Sequence, residues 1–176
     1  SPGVGDLWAT DISYGPDGAS FMVQTTSGEI VSFRTKLLGK HNVINILLAL
    51  GVGLVVGMRL RQMRYAISRL DPVEHRLQLK NQNGLMVIDD AFNSNPVGAA
   101  SAVDVLGQFT SGRRVIVTPG MIGLGDQEAE ANREFGRQIA DNVDDAILIG
   151  PDRTLPIVEG LRDKQFPSER THVLST

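Results

Sequence analysis

The sequence predicts a mixed α/β protein in which a β-hairpin and two helices precede a region with a mainly parallel sheet. Three observations carry that reading. Two strand-like runs near the start are joined by a short glycine-containing loop. Two consecutive helical segments follow, the first of them apolar on nearly every side. From Arg76 onward, short β-branched runs alternate with helical stretches, the pattern of a parallel sheet with helices on both faces.

The hairpin strands are Phe21-Met-Val-Gln-Thr-Thr and Ile30-Val-Ser-Phe-Arg-Thr, and Ser27-Gly28-Glu29 between them puts glycine where positive φ is cheap. Tyr14-Gly-Pro-Asp-Gly18 is a turn cluster ahead of them. The helices are expected over 41–58 and 60–70. Residues 43–58 are apolar except for Asn45, but fall short of the roughly 18 to 20 apolar residues a membrane span needs. A buried core helix is expected. The second helix groups Leu60, Met63, Ile67 and Leu70 on one face and turns Arg59, Arg61, Arg64 and Arg69 largely outward. Asp71-Pro72 ends it, because proline disfavours helical geometry in the residue before it. The domain boundary is placed there, dividing the chain into 1–71 and 72–176. Beyond it, strands are expected at 85–90, 114–118, 146–150 and 172–175, with helices at 96–108, 127–142 and 155–164. The sheet is expected to be incomplete at its end, since the chain stops directly after the last strand.

With 17 basic and 20 acidic residues the net charge is −3, which excludes a strong electrostatic pull toward nucleic acid or anionic lipid. The absence of cysteine excludes a disulfide scaffold and thiolate metal sites, and fits a reducing compartment. Nothing in residues 1–6 resembles a signal peptide. The expectations are a cytoplasmic protein, a monomer, with no membrane span and no nucleic-acid partner.

Two segments concentrate polar chemistry. Gly39-Lys40-His41-Asn42-Val-Ile-Asn45 opens the apolar helix, and helical spacing puts His41, Asn42 and Asn45 on one face of its first turns. The free N–H groups of a helix start favour an acceptor nearby, and asparagine offers both the donor and the acceptor that an adenine edge requires. Plain helix capping would use the same residues. In Ile88-Asp89-Asp90-Ala-Phe-Asn93-Ser94-Asn95-Pro96, two carboxylates end an expected parallel strand, the edge where open α/β sheets bind ligands. A strand-end aspartate suits ribose hydroxyls or water-mediated Mg²⁺, and it equally suits a turn cap. Asn95 and Pro96 fit the start of the next helix.

Arg76 stands near the boundary, where an arginine fork suits a phosphate or ribose, or simply a solvated ion pair. Thr118-Pro-Gly120-Met-Ile-Gly123-Leu-Gly125 reverses the dinucleotide fingerprint, and Asp126, Glu128 and Glu130 crowd the following helix start. Those charges repel a pyrophosphate, so a flexible loop bordering a substrate cleft is expected instead. No G-x-x-x-x-G-K-[ST] occurs, and Gly39-Lys40 is followed by His41 rather than a hydroxyl residue. This stretch of chain is therefore not expected to hydrolyse ATP, and only weak ATP binding is expected of it.

Gly39-Lys-His-Asn-Val-Ile-Asn45, Pro72-Val-Glu-His-Arg76, the segment from Ile88 to Pro96 and Pro119-Gly-Met-Ile-Gly-Leu-Gly125, in that order, resemble the Mur ligase family. Its members join amino acids or peptides to the nucleotide-linked precursor of bacterial cell wall. The resemblance covers about 37–150, and the asparagine-rich segment is closest to members that add D-alanyl-D-alanine.

It implies a three-domain enzyme using ATP and Mg²⁺, of which this chain is a carboxy-terminal part: residues 1–71 from the end of a P-loop central domain, 72–176 from a Rossmann-like last domain. It implies that His41, Asn42 and Asn45 belong to the nucleotide site, the asparagines at adenine, and that Arg76 and Asp90 approach phosphate and ribose. Asn93, Ser94 and Asn95 become substrate-cleft candidates. No catalytic residue and no metal ligand is assigned to this stretch. The implied substrates are UDP-MurNAc-peptide and D-Ala-D-Ala or another amine, joined through an acyl phosphate. Three departures stand out: Ala91-Phe92 replace the usual Ser-Tyr, His75 replaces a common glycine, and Thr118-Pro119-Gly120 lacks an aspartate often found there. A non-catalytic nucleotide-binding module on the same scaffold, or a folylpolyglutamate- or cyanophycin-type ligase, are the other readings.

Overall fold

The computed structural model describes residues 5–15 and 17–175. Pro16 of the expected turn, and residues 1–4 of the segment compared with a signal peptide, lie outside the described residues. Contacts divide the chain into two compact units, Ser1–Asp90 and Ala91–Thr176.

The first unit opens with an antiparallel sheet of order β1-β2-β3, built from Leu7–Gly15, Gly18–Thr25 and Ile30–Thr35. The expected hairpin is β2–β3, and β1 adds a strand that the sequence reading passes over. An irregular register between Thr10 and Ser13, with Asp11 at φ 53°, breaks the alternation that would have marked it. Two helices, α1 (Lys40–Val55) and α2 (Leu60–Ser68), cover one face. Phe21 and Phe33 pair across β2 and β3 with ring centroids 5.9 Å apart, and they share a core with Val43, Ile46, Leu50, Leu60, Met63 and Ile67.

Two expectations about these helices need correction. Helix α1 is not buried all round: Val43, Ile46, Leu50 and Gly53 face the core, while Ile44, Leu48, Val52 and Val55 form an exposed stripe. Composition made the faces look alike; packing distinguishes them. Leu70, expected on the buried face of α2, lies past the helix end and is 38% exposed. No helix among the described residues is long and apolar enough to cross a membrane.

Strands β4 (Gln78–Gln82) and β5 (Leu85–Asp89) then form an antiparallel hairpin. The expected strand at 85–90 exists, but its hydrogen-bonded partner is β4, not a parallel neighbour. The cause is Asn83-Gly84, with φ of 54° and 86°, the two-residue turn whose twist matches that of its strands.

In the second unit β6 (Val115–Thr118), β7 (Asp145–Ile149) and β8 (Thr171–Leu174) pair in parallel, in that order. Helices α3 (Pro96–Gly107), α4 (Glu128–Asn142) and α5 (Pro151–Asp163) complete it. Helix α5 starts ahead of the expected residue 155, since Gly150 at φ 87° turns the chain into it and Pro151 suits its first position. Pro156, inside the helix, removes only one of its i→i−4 bonds. Helices on both faces were expected; instead all three helices share one cluster with Ala146 and Leu148, and Val115, Val117 and Leu174 of the strands stay exposed. Two successive crossovers of the same hand carry α4 and α5 to the same side. There they cross at Gly136 and Gly160, where a Cβ on Gly160 would stand 1.9 Å from the Arg133 carbonyl oxygen.

Candidate nucleotide site

Helix α1 begins at Gly39, whose φ of 89° lets the chain turn sharply into the helix. No side chain caps this end and no acid lies in its first turn, so no carboxylate satisfies its N–H groups. The site grows from this feature. A Cβ on Gly39 would stand 2.8 Å from both the His41 ring and Leu77 Cδ1, so the helix start, the imidazole and the segment after α2 touch one another.

Leu77 is buried, and its N–H donates to Asp90 Oδ1 at 3.0 Å. Burial pushes the Asp90 carboxyl above the ordinary carboxylate range; the Leu77 N–H and the charges of His41 and Arg76 offset part of that rise. The structure thus gathers His41, Arg76 and Asp90 about Leu77. Arg76 lies between His75 at φ 59° and Leu77 at φ 45°. Left-handed backbone at two non-glycine residues costs of order 1–2 kcal/mol each, and such strain gathers where a side chain must be aimed. His75 Nδ1 lies 2.9 Å from Asp89 Oδ2, which also accepts from Lys80 Nζ at 2.6 Å. Beside Leu77, the Oε1 of Gln78 is a buried acceptor with no donor among the described residues.

The asparagines separate. Asn45 is exposed, one helical turn from His41, and engages no described residue, so its whole amide is open to a ligand. Asn42 donates through Nδ2 to the Leu38 carbonyl at 2.8 Å, leaving Oδ1 and one N–H. Asn95 accepts from the Gly98 N–H at 2.9 Å and caps α3, as its sequence position predicts, so as a cleft residue it retains only its amide nitrogen. Asn93 and Ser94 are exposed in the second unit.

The segment from Thr118 to Gly125 was expected to be loose, and it is tied down. Asn132, 1% exposed, accepts from the Met121 N–H at 2.8 Å and donates to the Met121 and Glu128 carbonyls. Glu128 Oε2 takes the Gly123 N–H at 2.7 Å and the Leu124 N–H at 3.3 Å. A carboxylate thus fills the place a pyrophosphate would need, the physical form of the repulsion argued from the sequence. Asn132 is the residue that sequence reasoning missed. The signal was present, since Asn132, Phe135, Gly136 and Ile139 follow the buried face of α4, where an amide must find partners.

An uncapped helix start, an arginine between two left-handed residues and a half-buried carboxylate thus come together on an α/β scaffold. Comparison with known proteins gives the class. Residues 75–176 match the family "Mur ligase, glutamate ligase domain", and residues 2–53 match "Mur ligase middle domain". The chain belongs to the Mur ligase family. It is 36% identical over 113 residues to the UDP-N-acetylmuramate–L-alanine ligase of Endomicrobium trichonymphae, covering 64% of this chain and 25% of that protein. It is 30% identical over 148 residues to the UDP-N-acetylmuramoyl-tripeptide–D-alanyl-D-alanine ligase of Bacillus subtilis, covering 82% of this chain and 32% of that one. Among solved structures, MurF from Acinetobacter baumannii superposes with a TM-score of 0.81 at 26% identity, over 98% of this chain and 36% of MurF. The chain therefore spans a quarter to a third of the length of these relatives.

Proposed function

We propose that this chain is part of an ATP-dependent amide ligase that extends the peptide of a UDP-MurNAc precursor, with D-Ala-D-Ala as the amine. In this reading 1–71 belong to the central ATP-binding domain and 72–176 to the last domain. The observation that carries it is the assembly of His41, Arg76 and Asp90 around Leu77, beside an uncapped helix start bearing a free Asn45.

Each residue then has a task. The Asn45 amide donates to and accepts from the adenine edge, and Asn42 contributes its remaining N–H and Oδ1. The Asp90 oxygen not held by Leu77 accepts from a ribose hydroxyl, and the Arg76 guanidinium binds phosphate oxygens. His41 closes the pocket against Leu77. Mg²⁺ and the phosphate cradle come from residues outside this stretch. The reaction converts a substrate carboxylate to an acyl phosphate with release of ADP; the amine then attacks and phosphate leaves. Excluding water at that stage protects the intermediate from hydrolysis.

The D-Ala-D-Ala assignment rests on the asparagine-rich segment from Asn93 to Asn95 and on the likeness to MurF. The test is ATP consumption by the longest natural form of the protein, given three pairs: UDP-MurNAc-tripeptide with D-Ala-D-Ala, UDP-MurNAc with L-alanine, and UDP-MurNAc-L-Ala-D-Glu with diaminopimelate. Phosphate release with D-Ala-D-Ala is expected. Release with another pair moves the protein within the family, and release with none removes the ligase reading. Asn45→Ala and Asp90→Asn should each raise the KM for ATP about tenfold, the scale of one charge-assisted or bidentate contact. Unchanged kinetics would remove them from the site.

A further inference from the structure

Residues 30–70 carry seven basic side chains, from Arg34 to Arg69, and no acid. The nucleotide site uses none of the arginines among them. Three of these, Arg34, Arg61 and Arg64, line one shallow groove of about 360 Å³ together with Tyr65 and Ser68.

The groove is built by two independent periodicities. Along α2, Arg61, Arg64, Tyr65 and Ser68 fall at helical spacing on the exposed face, opposite buried Leu60, Met63 and Ile67. Along β3, Arg34 points away from the core between buried Phe33 and Thr35. Since β3 is the edge of its sheet and α2 packs beside it, Arg34 joins the α2 stripe.

Among the described residues, the ion pairs of this unit use Lys36, His75 and Lys80, and none uses Arg34, Arg61 or Arg64. Asp71, the next acid along the chain, is engaged by Lys36 Nζ at 2.6 Å. Three arginines lining one groove with no carboxylate in its lining repel one another unless an anion joins them. Tyr65 adds a donor: its oxygen accepts from Arg69 Nη1 at 2.6 Å, and the Arg69 guanidinium lies 5.5 Å from its ring centroid. That leaves the phenolic hydrogen to turn toward a ligand.

We propose that this groove is an anion site, separate from the nucleotide site, for a diphosphate group. Guanidinium forks match phosphate oxygens two at a time. The groove holds about a dozen water volumes, room for a diphosphate rather than one tetrahedral anion. The diphosphate comes either free or as part of a nucleotide-linked molecule.

The test titrates the 176-residue chain with inorganic pyrophosphate by calorimetry at near-physiological salt, with sulfate as the comparison. Saturable pyrophosphate binding, at least tenfold tighter than sulfate, is expected. Arg61→Ala with Arg64→Ala should weaken it by about a hundredfold, about tenfold for each lost charged contact. The double lysine variant, which keeps charge but loses the fork, should fall between. UDP binding tighter than pyrophosphate assigns the site to a nucleotide-linked ligand, and equal binding assigns it to free diphosphate; both support the site. Pyrophosphate binding unchanged in the alanine variant, or matched by sulfate, overturns it. Circular dichroism of the variants, whose changed residues are exposed, confirms that the fold is intact.

Discussion

In the second unit four of the seven arginines are held by carboxylates, among the described residues. Arg113 forks onto Asp145, Arg114 onto Asp144, and Arg133 and Arg137 converge on Asp163. In the first unit, Arg34, Arg61 and Arg64 line one groove, a helix start is left uncapped, and two non-glycine residues hold left-handed backbone around Arg76. Interiors differ less: each unit has one apolar cluster, and each leaves some apolar surface open. The contrast teaches where to look for ligands. Charge that is already paired holds a fold together, whereas unpaired charge, open N–H groups and strain gather where something else must bind.

The hardest blow to this contrast is a change in the second unit that touches no ligand. Gly160→Ala should destabilise that unit by about 3 kcal/mol, the upper range for overpacking, because the added methyl meets the α4 backbone and cannot rotate away. The gain of about 1 kcal/mol in helix propensity does not offset it. Denaturation followed by far-ultraviolet circular dichroism reads the loss. Trp8, the chain's single tryptophan, lies in β1 and should report an unchanged first transition by fluorescence. Equal shifts in both signals would mean that the units do not unfold separately.

Acid should act on Asp144 and Asp163 with a sign opposite to that on Asp90. Arg114 holds the Asp144 carboxyl at about 2, and Arg133 and Arg137 hold Asp163 at about 2, both below the usual 3.8. Their folded values are depressed, so their stabilisation is complete above about pH 4 and is lost as pH falls toward 2. Asp90 is shifted the other way, so protonation relieves its burial instead of breaking a pair. The melting temperature of the second unit should therefore fall between pH 4 and 2, less steeply in Asp163→Asn, while Asp90→Asn leaves the first unit as stable or slightly more so. A first unit that loses stability in Asp90→Asn would show that Leu77 needs the charge and not only the acceptor. The smallest effect concerns His75. Replacement by glycine removes left-handed strain but forfeits an exposed contact to Asp89, and the balance should be a gain of about 0.5 kcal/mol. A loss in thermal melts would make that contact structural.

Much of this was readable in the chain. Alternating β-branched runs and helical stretches located β6, β7, β8 and all five helices, and the order of four polar segments pointed to the family. What escaped were features whose cause lies in backbone geometry or distant partners. Strand β4 reads as a polar loop, Gln-Leu-Lys-Asn-Gln, until Asn83-Gly84 is recognised as the turn that folds it onto β5. Asn42 and Asn45 look equivalent in sequence, yet one donates to Leu38 and the other stays open. Asn132 ties a loop eleven residues away, which no spacing rule announces.

Local propensity and periodicity act over a few residues, so the sequence alone determined which segments are helix or strand and which polar residues stand at their ends. Only the tertiary structure decided what those ends meet. It placed Leu77 between His41 and Asp90, exposed one stripe of an otherwise uniform apolar helix, and brought Arg34 beside a helix some thirty residues further on. Burial, charge and hydrogen bonding depend on distances in space, and those are known only once the elements have packed.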